Sequence, residues 1–305
     1  MISVDPGTVV VVTGASAGVG RATARLLGAR RAHVGLLARG KRGLEAARRE
    51  IETLGGKAIV IPVDVSDAKA VESAAAKVER AFGPIDLWIN NAMVSMYSPF
   101  LKMTAKEFGH IVDVTFLGAV HGTRAALRRM IRRNRGVIIQ VGSALAYRSI
   151  PLQSAYCASK HAIRGFTESL RTELIHEQSA VRVCLVNLPA VNTTQFLWTR
   201  NRMGRVCRPV GTIFQPEAAA EAIVFAAEHD RREVMVGLST LKATWGEKVI
   251  PGLLDHKLAK DGWDGALLPQ RTGSRRRDNF WKPVNRDLGA RGQFSRGART
   301  MAVYL

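Results

Sequence analysis

The alternation of two residue patterns constrains this chain more than any other feature. Short β-branched runs occupy Val9–Thr13, His33–Leu37, Ala58–Val63, Ile85–Asn90, Val137–Val141, Val181–Asn187 and Glu233–Val236. Longer stretches between them carry Ala, Leu, Glu and Arg at helical spacing: Gly20–Ala29, Arg42–Leu54, Lys69–Phe82, Ala105–Arg133, Ser154–Glu177 and Pro216–Glu228. The short runs are almost continuously apolar, as parallel strands buried on both faces require. Parallel neighbours need right-handed crossovers, so an α/β, doubly wound parallel seven-stranded sheet with helices on both faces is expected. The alternation continues unbroken to about residue 237, which predicts one domain over 1–237 and a C-terminal extension over 238–305.

That extension is read as basic and partly irregular. Arg271 to Arg299 is rich in Gly, Arg and Asn and contains Arg275-Arg276-Arg277, the composition of a poorly ordered tail. Trp245, Trp263 and Trp281 argue that part of it packs on the core or on a partner subunit. The net charge is +20, a balance that attracts nucleic acid, an anionic surface or a phosphorylated ligand. Residues 268–305 hold nine basic and two acidic side chains, so +13 belongs to the remainder. No helix-turn-helix, zinc or RNA-recognition pattern accompanies the charge, so no specific nucleic-acid partner is expected. Three scattered cysteines, Cys157, Cys184 and Cys207, fit neither a metal cluster nor a disulfide framework and point to a reducing, cytoplasmic setting. No apolar stretch approaches the ~20 residues of a membrane span, and no metal site is expected.

The first run leads into Thr13-Gly14-Ala15-Ser16-Ala17-Gly18-Val19-Gly20 and then a helical pattern. Strand, glycine turn and helix in this order form a dinucleotide cradle: glycines permit the turn and close approach, and the helix N-terminus attracts a pyrophosphate. Gly14, Ser16, Gly18, Val19 and Gly20 are therefore predicted to bind cofactor. An NAD site places a carboxylate at the end of the next strand to accept from the ribose 2′-hydroxyl. Here that strand ends Leu37-Ala38-Arg39. Arg39 suits a 2′-phosphate instead, which favours NADP (NADPH) over NAD.

Four separated signals, Thr13-Gly-x-x-x-Gly-x-Gly20, Asn90-Asn91-Ala92, Ser143 and Tyr156-x-x-x-Lys160, resemble the short-chain dehydrogenase/reductase family over residues 7 to 237. The resemblance implies a Rossmann-like fold and an NAD(P)-dependent oxidoreductase interconverting carbonyls and secondary alcohols by hydride transfer. Tyr156 and Lys160, four apart, share one helix face. A nearby ammonium lowers the phenol, which ordinarily titrates near ~10, toward a usable acid/base. Resemblance assigns Ser143 to the substrate oxygen and Lys160 also to the nicotinamide ribose. It assigns Asp64, Val65 and Asn90 to the adenosine end, and Thr193 in Pro189-Ala-Val-Asn-Thr193 to the carboxamide. Thr115 stands where the family carries a catalytic Asn, and its shorter hydroxyl puts the proton relay in question. Met93 and Ala190 replace common glycines.

The loops expected around the nicotinamide carry Met93, Met96, Tyr97, Leu145, Tyr147, Phe196, Leu197 and Trp198, which suits an apolar substrate. Arg200, Arg202, Arg205 and Arg208 on the same long segment instead favour an anionic group. Cys157 reads as a packed helix residue. A homodimer or homotetramer paired through the two long helices is implied by resemblance. The competing readings are a cofactor-binding sensor or scaffold that has lost chemistry, and a nucleic-acid binder acting through the basic tail.

Overall fold

The computed structural model describes residues 2–273 and 276–304. One parallel seven-stranded sheet holds the molecule together: β1 (Val9–Thr13), β2 (His33–Ala38), β3 (Lys57–Pro62), β4 (Leu87–Asn90), β5 (Val137–Ser143), β6 (Arg182–Leu188) and β7 (Glu233–Met235). Their spatial order is β7-β6-β5-β4-β1-β2-β3. Every residue of β1, β4 and β5 is buried, which is why these runs needed no alternation. The order reverses between β1 and β4, and the two strands diverge into different crossovers at their C-terminal ends. A crevice opens there, the usual ligand position of a doubly wound sheet.

Helices α1 (Gly18–Ala29), α2 (Lys41–Thr53), α3 (Ala68–Phe82), α4 (Ala105–Val112), α5 (Gly118–Arg133), α6 (Ser154–His176) and α7 (Pro216–Glu228) flank the sheet. Ala-rich α7 packs flat against α1 because small side chains let the two approach, burying Ala219, Ala222, Ile223, Ala226 and Ala227. The helix expected over Ala105–Arg133 is interrupted: Asp113–Leu117 forms a π-turn between α4 and α5. A Thr104–Glu107 capping box starts α4, and Asn134, left-handed at φ 46°, ends α5.

The extension is more ordered than its composition predicts. It forms α8 (Leu238–Val249), a short helix Pro251–Lys257, and a strand Leu267–Arg271 paired antiparallel with Arg205–Cys207. The remainder has little regular structure but is pinned to the core. Phe280 is completely buried, and isolated bridges join Thr193 to Arg291, Phe214 to Arg299 and Val236 to Tyr304. Of the tryptophans, Trp281 packs against His110 with ring centres 4.5 Å apart, whereas Trp245 and Trp263 remain 59% and 38% exposed. Arg276 donates to the Phe196 and Leu197 carbonyls, and Arg275 lies outside the described residues. Among the described residues no helix is long and apolar enough to cross a membrane.

Candidate active site

The glycine turn lies at the C-terminal end of β1, at the reversal of strand order. Gly14 has φ +69°, and a Cβ there would sit 2.9 Å from the Ala92 Cα. A Cβ on Gly20 would drive into the Gly14 carbonyl oxygen. Gly20 thus serves helix–strand packing and does not line the cleft, whereas Gly14, Ser16, Gly18 and Val19 do. The cavity, about 460 Å³, extends from this turn past Arg39, Asp64 and Val65 at one end to Ser143, Tyr156 and Lys160 at the other.

Ser143 ends β5, and its hydroxyl accepts the Leu145 N–H at 3.1 Å. Tyr156 and Lys160 project from the first turns of α6, with the Lys160 Nζ 5.6 Å from the centre of the Tyr156 ring. The Lys160 ammonium is buried and donates to the Val141 carbonyl at 2.6 Å; burial pulls it down to about 8. Burial also pushes the Tyr156 phenol above its ordinary value, and the hydrogen bond with Ser143 works the other way. Desolvation therefore governs the phenol in the protein alone, and the lowering expected from the neighbouring ammonium is not seen there. Cys157 is packed in α6, as expected, and burial raises its thiol.

Three expected residues stand differently in the structure. Asn90 points into the sheet, accepting from Trp88 Nε1 at 2.8 Å and donating to Thr123 and Gln140. It holds β4 to its neighbours and does not line the cleft. Its neighbour Asn91 lines the cleft instead and donates to the Thr13 carbonyl at 2.9 Å. Thr115 donates to the Val94 carbonyl at 3.0 Å and accepts the Val94 N–H at 3.2 Å. With its only donor committed, Thr115 holds the loop after β4 and is not available to pass a proton to Tyr156. Arg39 occupies the expected corner, but its guanidinium donates to the Asn279, Phe280 and Trp281 carbonyls of the extension, and burial lowers its pKa while nearby Asp64 opposes that.

Thr193 lines the cleft, but the sequence did not single out Thr194 beside it. The Thr194 hydroxyl is buried, without a partner among the described residues, and also lines the cleft. That orphaned group, together with the cradle of Gly14, fits a bound dinucleotide whose polar atoms would complete it. Of the expected apolar lining, Met93, Tyr97, Leu145, Phe196 and Trp198 face the cavity. Met96 belongs to the core, Tyr147 is bound to Glu233, and Leu197 is outside the lining. The arginines Arg200, Arg202, Arg205 and Arg208 do not line the cavity. Arg200 and Arg202 instead pair with buried Glu107. The extension contributes further wall that carried no motif: Ser239, Ala243, Leu258, Asn279, Pro283, Val284 and Arg286.

Residues 8–203 match the family model described as short chain dehydrogenase. The chain is 34% identical over 256 residues to the "Uncharacterized oxidoreductase YxnA" of Bacillus subtilis, covering 83% of this chain and 71% of that one. Among solved structures it is similar to a metagenomic short-chain oxidoreductase in complex with NADP, at TM-score 0.65 and 32% identity over 77% of this chain and 98% of the other. An alcohol dehydrogenase from Thermococcus sibiricus complexed with 5-hydroxy-NADP aligns at TM-score 0.64 and 28% identity, covering 75% and 95% of the two chains. The ordered glycine turn, the cleft at the strand reversal and these matches identify the chain as an NAD(P)-dependent oxidoreductase acting on CH–OH and C=O groups, a member of the short-chain dehydrogenase/reductase family.

Proposed function

We propose that this enzyme is NADP-dependent and interconverts an apolar carbonyl compound and its secondary alcohol, with Tyr156 as the proton donor or acceptor. The observation that carries this reading is the convergence of Ser143, Tyr156 and Lys160 on one end of a cleft whose other end is the glycine turn. The bound nicotinamide supplies or accepts the hydride. Ser143 orients the substrate oxygen by hydrogen bonding, and Tyr156 gives its phenolic proton to that oxygen or takes one from it. Lys160 provides positive charge beneath the Tyr156 ring, favouring the phenolate left after proton donation. Thr193 and Thr194 would hold the carboxamide, and Asp64 and Val65 would border the adenosine.

NADP preference is supported by the absence of a carboxylate at the end of β2 and by the NADP-type ligands of the two similar structures. An apolar substrate is supported by Met93, Leu145, Phe196 and Trp198 in the wall and by the diversion of Arg200 and Arg202 to Glu107. A homo-oligomer paired through α5 and α6 is supported by exposed Ile131 and Ile175 on those helices. A reducing compartment such as the cytoplasm fits three buried, free cysteines. The domain boundary near residue 237 follows the end of the strand–helix alternation.

The test is NADPH consumption across a carbonyl panel by the parent and by Tyr156→Phe. We expect the variant to lose about 10²–10⁴-fold in turnover, with NADPH affinity little changed. Full turnover by Tyr156→Phe would remove the tyrosine assignment. Turnover confined to carboxylated or phosphorylated substrates would overturn the apolar reading.

A further inference from the structure

The extension does more than cover the cleft. Between Asn279 and Gly289 it runs along the adenosine end as a strap, held to the cofactor-binding elements by its own acceptors. The carbonyls of Asn279, Phe280 and Trp281 accept from Arg39, the Gly289 carbonyl accepts the Gly18 N–H at 3.2 Å, and Asn285 Oδ1 accepts the Arg42 N–H at 2.9 Å. Arg39, the side chain expected to read a 2′-phosphate, thus turns both of its terminal nitrogens to the strap.

The strap brings a different guanidinium to the same corner. Arg286 lines both the main cavity, beside Gly40 and Arg39, and an adjoining open depression shared with Lys41, Arg42, Glu45, Arg49, Asn285 and Asp287. The two carboxylates there are engaged elsewhere: Glu45 with Arg48 at 2.9 Å, and Asp287 with buried Arg21 at 3.5 Å. Lys41, Arg42, Arg49 and Arg286 have no carboxylate partner among the described residues. A cluster of unpaired cations, continuous with the adenosine end and including a forked guanidinium, matches a phosphomonoester dianion.

We propose that Arg286, with Lys41 and Arg42, forms the seat for the phosphate on the adenosine ribose, so that discrimination between NADP and NAD depends on the C-terminal strap. In this arrangement Arg39 is a positioning residue that anchors the strap, and Arg286 makes the contact. The inference rests on the NADP reading above.

Equilibrium binding of NADPH and NADH to the full-length protein, followed by cofactor fluorescence, tests it. The parent should bind NADPH more tightly. Arg286→Ala should weaken NADPH about 10-fold or more and leave NADH nearly unchanged, and Arg286→Lys should recover part of the loss. Arg39→Ala should weaken both cofactors by loosening the strap. Arg286 is exposed, so its substitution should leave the melting temperature close to that of the parent; Arg286→Gln provides a second variant if it does not. A parent that prefers NADPH while Arg286→Ala and Arg286→Gln keep its NADPH-to-NADH ratio would overturn the seat and leave the NADP reading standing. Equal affinities in the parent would overturn both.

Discussion

At Lys160, burial and function pull in opposite directions. The ammonium is desolvated beside the Tyr156 ring and falls to about 8 from an ordinary 10.5. Between those values the unfolded chain holds a proton that the folded chain has released, so folding stability rises with pH across the window. The charged lysine therefore lowers stability below about 8 and is relieved above it. In the cofactor-free protein, Lys160→Met should remove that penalty. Its stability relative to the parent should be higher at neutral pH than near pH 10.5, the difference narrowing by ~1–3 kcal/mol on raising the pH. Melting curves across that range check this; a relative stability that does not change with pH would contradict the assignment of the penalty to Lys160. A residue type at helical spacing was legible in the sequence, whereas the desolvation that governs its proton was not.

Between elements, the π-turn over Asp113–Leu117 explains why one expected helix became two. Apolar spacing continues through the segment, so the sequence pattern reads as a single helix over Ala105–Arg133. The interruption places Thr115 where its hydroxyl satisfies both the N–H and the carbonyl of Val94, a residue only 2% exposed. Such a pairing between residues 21 positions apart leaves no local trace. Thr115→Val keeps the shape but strands both Val94 groups, and should cost about 1–3 kcal/mol in denaturant unfolding. If Thr115 acted as a proton relay instead, the variant would lose turnover while keeping its stability. The same logic applies to Asn90: the motif identified its position, and the Trp88, Thr123 and Gln140 side chains decided which way it points.

Across the whole molecule, the basic extension is a structural part of the cofactor cleft. Its arginines serve as anchors, Arg276 to the carbonyls of Phe196 and Leu197 and Arg291 to Glu217. Part of the +20 net charge that first pointed toward nucleic acid is used in these contacts. Phe280 is the central fixture: fully buried, it packs edge-on to His110 with ring centres 5.0 Å apart, and His110 Nε2 lies 2.8 Å from its carbonyl oxygen. Phe280→Ala should destabilise the protein by about 3–5 kcal/mol and weaken NADPH and NADH binding together, because the strap carbonyls that hold Arg39 belong to Phe280 and its two chain neighbours. Calorimetry and cofactor titration measure both effects; unchanged affinity in a folded variant would separate the strap from the cleft.

The sequence by itself determined the parallel sheet, the glycine turn and the spacing of Tyr156 and Lys160, because each rests on local periodicity or on residues close together in one element. Strand and helix limits agree with the apolar pattern to within a few residues for that reason. Only the tertiary structure decided that Asn90 faces inward, that Thr115 binds Val94, that Thr194 offers an orphaned hydroxyl, and that residues 279–289 run alongside Arg39 and the glycine turn. Each of these depends on partners far away in the chain. The strap carries no periodicity, and Phe280, its anchor, is one of two adjacent aromatics in a polar, basic stretch. Its position is set by a hole in the core that exists only once the other elements have packed.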